Sequence, residues 1–177
     1  MTDPSQARLS PHATAIRALE RCDVPALKGV IEATELFPSE MLDGMLAGYL
    51  DGNAAEEIWL TASEGGSDGP FALAYCTAER MTSGTWNLLL IAVHPDRQGR
   101  GHGARLTAYV EQLLARRGER ILLVETSGLP AFARTRAFYA QCGYTEEARI
   151  LEFYQEGEDK VVFRKALAQL RTQAGVL

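Results

Sequence analysis

Apolar and polar positions alternate around Ile16 over residues 13–19, the period of a half-buried strand. From residue 24 the period lengthens. Leu27, Val30 and Ile31 fall on one helical face. Asp23 stands in the N-cap position and Pro25 in the first turn, so a helix is predicted to about Glu35. Phe37-Pro38 breaks it. Ser39 then caps a second helix carrying Met41, Leu42, Met45, Leu46, Tyr49 and Leu50, ended by Asp51-Gly52-Asn53. Three short apolar runs follow, at 58–62, 71–77 and 86–93. The Gly-rich loop 65–70 and a turn at Ser83-Gly84 separate them, so they read as an antiparallel meander.

Beyond Gly103 the helical period returns, with Leu106, Tyr109, Val110, Leu113 and Leu114 on one face. Arg116 and Arg117 suit the negative end of its dipole, and Gly118 closes it. The continuous apolar run 121–124 fits a buried central strand, which makes 86–126 a βαβ crossover with parallel strands. A helix from about Ala131 to Cys142 is stopped by Gly143. Residues 144–153 and 160–165 read as a final antiparallel pair across the acidic turn 155–159, and residues from Ala166 on as a short amphipathic helix. The pattern is a mixed α/β (α+β) architecture.

Composition narrows the class. A chain of 177 residues is expected to form one domain with a sizeable core, 1–12 being a loose tail. The net charge of −5 argues against a nucleic-acid surface, which needs a concentrated basic face. Cys22, Cys76 and Cys142 match no disulfide framework and no metal spacing, and read as reduced thiols. The polar start lacks a signal-peptide core and no stretch reaches membrane-span length, so a cytoplasmic protein without membrane partners is expected.

The chemistry concentrates in residues 91–103. Ile91, Ala92 and Val93 end a strand, and His94-Pro95-Asp96-Arg97 turns the chain. Gly99, Gly101 and Gly103 then stand at alternate positions before a helix. Glycines let a row of backbone N–H groups approach an anion closely, and the helix start adds unpaired donors and a positive dipole end. The stretch therefore reads as a pyrophosphate cradle. Gly99-x-Gly101-x-x-Ala104 with Glu125 further on also fits a dinucleotide fingerprint. That fingerprint places its first glycine at the strand end, whereas five residues intervene here, and too little chain follows Glu125 to complete a doubly wound sheet.

Gln98-Gly99-Arg100-Gly101-His102-Gly103, preceded by Val93-His94-Pro95, resembles the acyl-CoA loop of the GNAT superfamily of N-acetyltransferases. Phe138-Tyr139, followed closely by Gly143-Tyr144, resembles its second hallmark. The motifs stand in the family's order, with one helix and one strand between them, and the element order matches over about residues 13–165. Glu125-Thr126-Ser127 and 135–139 are further similar to a bacterial group of such sequences with no settled substrate. The resemblance implies a mainly antiparallel mixed sheet of about six to seven strands, with about four helices, whose fourth and fifth strands splay apart. It implies acetyl-CoA as co-substrate and no metal. Pantetheine would lie against Ile91, Ala92 and Val93, and pyrophosphate on the amides of Gln98, Gly99, Arg100, Gly101, His102 and Gly103. Phe132 stands where many relatives carry an Asn close to the cofactor arm, with Ser127 and Thr135 as substitutes.

On this reading the protein transfers an acetyl group to a primary amine by direct attack in a ternary complex. The Val93 N–H matches the oxyanion donor and Tyr139 the general acid. Glu125 is the first candidate base, Glu35 the second, and loss of the proton to solvent needs neither. Arg97 and Arg100 either meet CoA phosphates or decorate an exposed turn. His94 serves the turn, His102 the helix start, and Cys142 a buried thiol position. Phe37, Met41, Tyr49, Tyr75, Trp86 and Tyr154 are candidate walls for a small-molecule or peptide acceptor, or core. Dimers are common among relatives, and Leu167 and Leu170 offer a contact. The competing functions are an acyl-CoA-binding regulatory module without turnover and a nicotinamide-dependent oxidoreductase.

Overall fold

The computed structural model describes residues 14–65 and 69–167. The order is β1 (Thr14–Ala18), α1 (Val24–Thr34), α2 (Met41–Leu50), β2 (Glu57–Glu64), β3 (Pro70–Ala78), β4 (Thr85–Val93), α3 (His102–Arg116), β5 (Ile121–Ser127), α4 (Ala133–Gln141), β6 (Thr145–Gln155) and β7 (Glu158–Ala166). The strands form one sheet of seven in the order β1-β2-β3-β4-β5-β7-β6. Among the described residues only β4 and β5 run parallel, joined by α3 as the crossover. The predicted mixed, mainly antiparallel sheet is therefore present.

Two apolar clusters sandwich the sheet. On one face Leu106, Val110 and Leu114 of α3 and Tyr139 of α4 pack over Trp86, Leu88, Leu122, Val124, Val161 and Phe163. On the other, Leu27, Val30 and Ile31 of α1 meet Leu42 and Leu46 of α2 above Trp59, Leu73 and Ala92. The helical period seen in the sequence is the period of these contacts.

Several local expectations need correction. Asp23 and Ser39 precede their helices, but neither side chain caps one. Asp23 instead accepts both Arg17 guanidinium nitrogens at 2.7 Å and the Glu20 N–H at 2.8 Å. The Ser39 hydroxyl donates to Glu32 Oε1 at 2.6 Å. The helix expected from Ala131 opens as a short 3-10 turn at Pro130–Phe132, and α4 proper starts at Ala133. The final turn is only Glu156-Gly157, because β6 reaches Gln155 and β7 begins at Glu158. Leu167 is 8% exposed within the first cluster and offers no free contact surface. Leu170, the tail 1–12 and most of the expected last helix lie outside the described residues.

Asp23 is 3% exposed, whereas the Arg17 side chain is 41% exposed. Asp23→Ala is expected to destabilise the fold by about 1–3 kcal/mol, less than a fully buried pair because solvent screens Arg17. The Arg17 guanidinium holds the Asp23 carboxyl below its ordinary 3.8. Its contribution is fully present above 3.8 and is lost as pH falls below that through the lowered folded-state value. Denaturant melts of both proteins should therefore converge at low pH.

Candidate active site

The sheet opens where β4 and β5 part. They pair only from Thr85 to Leu88 against Ile121 to Val124, whereas β4 follows β3 as far as Val93 opposite Ala72. At the parting point Leu89 is extra, since Leu88 faces Cys76 and Leu90 faces Tyr75. A bulge of this kind bends a strand and redirects its neighbours. Past it, β4 keeps β3 on one edge and leaves the other free, which gives a V-shaped fork.

Ladder alternation decides which groups line the fork. The His94 N–H bonds the Phe71 carbonyl at 2.8 Å, so the pair Val93–Ala72 is of the non-hydrogen-bonded kind. Ile91 and Val93 therefore aim their backbone polar groups into the fork. Ala92 turns its own toward β3, and its methyl packs under α1 and α2. Gln98 Nε2 donates to the Val93 carbonyl at 2.9 Å, and the Val93 N–H meets no acceptor among the described residues.

Above the fork the chain turns through Pro95–Arg97 and enters α3. Gly99 and Gly101 take φ of +73° and +80°, which only glycine adopts freely, and Gly101 is the N-cap of α3. The Gln98 N–H is spent on the Pro95 carbonyl. Those of Gly99, Arg100, Gly101, His102 and Gly103 find no acceptor among the described residues. A Cβ added at Gly99 or Gly101 would meet no atom within 4 Å. The open concavity, its row of unspent donors and the α3 dipole fit a pyrophosphate.

Side chains of the turn hold the cradle in place. Arg97 pairs with Glu64 of β2 and lies 5.5 Å from the centre of the Phe71 ring, so it ties the turn to the sheet. His94 Nδ1 accepts the Asp96 N–H at 3.3 Å, the turn role expected of it. His102 is 5% exposed and stands edge-on to Phe71 at 4.6 Å. Burial lowers its basicity, which keeps a further cation out of a region that already carries Arg97 and Arg100 of the turn and Arg105 of α3. Arg100 is exposed within the cradle.

The second motif touches the first. A Cβ on Gly103 would stand 3.5 Å from the Phe138 ring, so the start of α3 lies in contact range of α4. Next to Phe138, Tyr139 is 4% exposed, packed against Tyr144 and Phe163. Its hydroxyl meets no partner among the described residues, and burial raises its ionisation well above 10.0. Lys165 Nζ bridges Glu111 of α3 and the Cys142 carbonyl, both at 2.7 Å, and anchors the end of α4. Arg136 donates to the Ser127 and Leu129 carbonyls at 2.7 and 2.9 Å, closing the loop from β5 to α4.

The sequence profile of the acetyltransferase (GNAT) domain matches residues 55–146, more than half of the chain and both motifs. The chain belongs to the GNAT family of acetyltransferases. The fold is that of an acetyltransferase of the GNAT family from Desulfovibrio desulfuricans, with a TM-score of 0.81 and 32% identity over 88% of this chain and 100% of that one. The ribosomal-protein-S18-alanine N-acetyltransferase of Escherichia coli superposes with a TM-score of 0.70 at 20% identity, covering 93% of this chain and 100% of its own. A Salmonella typhimurium acetyltransferase with acetyl-CoA bound gives 0.66 at 18%, covering 93% and 99%. No curated protein sequence matches.

The other residues singled out in this GNAT chain fall in different places. Glu125 follows Val124 on β5, so it faces the α1/α2 side of the sheet, just past the fork. Its Oε2 accepts from Lys160 Nζ at 2.7 Å. Glu35 is exposed at the end of α1, in a left-handed conformation. Phe132 is 40% exposed on the turn before α4, and the Ser127 hydroxyl is taken by the Leu129 N–H. Among the candidate walls Trp86 is a correction: it is buried under α3, on the opposite face from α1 and α2. Phe37, Tyr49 and Tyr75 pack on the α1/α2 side, where Tyr75 stacks on Trp59 at 4.1 Å. Met41 and Tyr154 are 55% and 47% exposed. Lys160 and Phe153 carried no sequence signal and stand out only in three dimensions. Among the described residues no helix is long and apolar enough to cross a membrane.

Proposed function

We propose that this chain binds acetyl-CoA in the fork and transfers its acetyl group to a primary amine by direct attack in a ternary complex. One observation carries the reading. Five unspent N–H groups, at Gly99, Arg100, Gly101, His102 and Gly103, stand at the fork mouth where Phe138 brings in Tyr139. The names of the structural neighbours support it, among them an aminoglycoside 6′-N-acetyltransferase complexed with coenzyme A.

Bound acetyl-CoA supplies an activated acyl group and a thiolate leaving group. The cradle holds the pyrophosphate, and the fork edge of β4 receives the pantetheine arm at Ile91 and Val93. The Val93 N–H donates to the carbonyl oxygen as negative charge develops there. Glu125 takes the proton of the attacking amine, directly or across one water. Tyr139, kept protonated by burial, donates to the departing sulfur. Initial rates with acetyl-CoA against a panel of primary amines test the order of events. Intersecting double-reciprocal lines are expected; parallel lines would show a covalent acyl-enzyme and sink direct attack.

A further inference from the structure

The last hairpin is distorted next to Glu125. Ile150 faces Lys160 and Gln155 faces Glu158, so the four residues between Ile150 and Gln155 stand against Asp159 alone. Within them Glu152 takes a left-handed φ of 51°, a conformation that non-glycine residues adopt only when the surroundings impose it. Asp159 imposes it. Its Oδ1 accepts the Glu152 N–H at 3.1 Å and its Oδ2 accepts Arg149 at 3.2 Å. The Asp159 carbonyl accepts the Gly128 N–H at 2.8 Å, and a Cβ on Gly128 would come within 3.0 Å of Asp159 Cβ. The bulge is thus clamped against the end of β5.

The bulge places Phe153 over Lys160, whose Nζ lies 3.6 Å from the ring centre while also pairing with Glu125. Phe153 and Tyr154 meet edge to face at 5.1 Å yet remain about half exposed, so the enclosure opens to solvent. The Lys160 side chain is 11% exposed and that of Glu125 27%. Glu125 Oε1 has no partner among the described residues. A primary ammonium held between a carboxylate and an aromatic face is the arrangement that recognises an alkylammonium ligand.

We propose that Glu125 and the Phe153 ring form a cage for one primary ammonium group, filled by Lys160 until an acceptor amine displaces it. This rests on the acetyl-transfer reading above, and makes Lys160 a specificity-determining residue. The incoming ammonium docks on the free Oε1, Lys160 swings out, and Glu125 then faces the acceptor nitrogen.

The probe is n-butylammonium chloride, titrated into wild type, K160M, K160R and E125Q while the Phe153 ring and the 15N-labelled lysine ammonium signals are followed. The probe is expected to shift the Lys160 ammonium signal of wild type and to bind K160M about tenfold more tightly. K160R should behave like wild type, and E125Q should bind the probe more weakly. Equal binding to wild type and K160M, or a wild-type Lys160 signal indifferent to the probe, overturns the cage. Acetyl-CoA titrated into the same samples separates the two readings. Normal acetyl-CoA binding with no ammonium binding removes only the cage, whereas no acetyl-CoA binding removes the acetyl-transfer reading.

Discussion

Gly101→Asp is expected to leave the protein folded while raising the Kd for acetyl-CoA by about 10²-fold or more. The two halves of this expectation have separate causes. Gly101 is the N-cap of α3 at φ +80°, and its missing Cβ would point into open space. Asp is a favoured N-cap residue and is among the few that visit the left-handed region, so the cost in stability is about 1 kcal/mol. In the cradle the same carboxylate stands where the pyrophosphate is to bind, beside N–H groups that it would itself engage. Gly101→Ala is the control: it adds the Cβ without the charge and should weaken binding less. Calorimetric titration with acetyl-CoA, beside a thermal melt, reads both effects. A folded Gly101→Asp variant with wild-type affinity would refute the cradle.

Tyr139→Phe should lower kcat by about 10²-fold and change the Kd for acetyl-CoA little. The hydroxyl meets no partner among the described residues, so its removal leaves no orphaned group, and the ring contacts with Phe138, Tyr144 and Phe163 stay. The melting temperature should therefore hold, which separates chemistry from folding. The pH profile adds a second reading. Burial raises the ionisation of Tyr139 above its ordinary 10.0, so the wild-type acid stays protonated where a free tyrosine begins to titrate. Single-turnover rates isolate the chemical step from product release. Equal single-turnover rates in the two proteins would remove Tyr139 from the mechanism.

The parts legible in the sequence are those where a residue type has one structural use. Pro95 with alternate glycines marked the turn into α3, and the 3.6-residue period placed Leu106, Val110 and Leu114 on the buried face. The parts that stayed hidden depend on parity and on distant partners. Leu89 looks like any apolar strand residue, yet as the extra residue of the bulge it moves every later β4 side chain to the other face. Hence Trp86 and Leu88 lie under α3 while Ala92 lies under α1 and α2. Asp23 reads as a cap, and only the fold brings Arg17 to claim its carboxylate. The bulge over Lys160 has no local signal at all, because Asp159, seven residues beyond Glu152, holds it open. Three dimensions also gave Arg97 a partner that the sequence does not announce, Glu64 of β2.

The central claim is that the fork between β4 and β5, with the glycine turn above it, receives coenzyme A. Backbone amide spectra recorded as CoA is added to the whole protein test it most directly. The largest shifts are expected at Ile91 and Val93 in the fork and at Gly99, Arg100, Gly101, His102 and Gly103 in the cradle. Saturable CoA binding that leaves those amides unmoved, or no binding at all, would contradict the account.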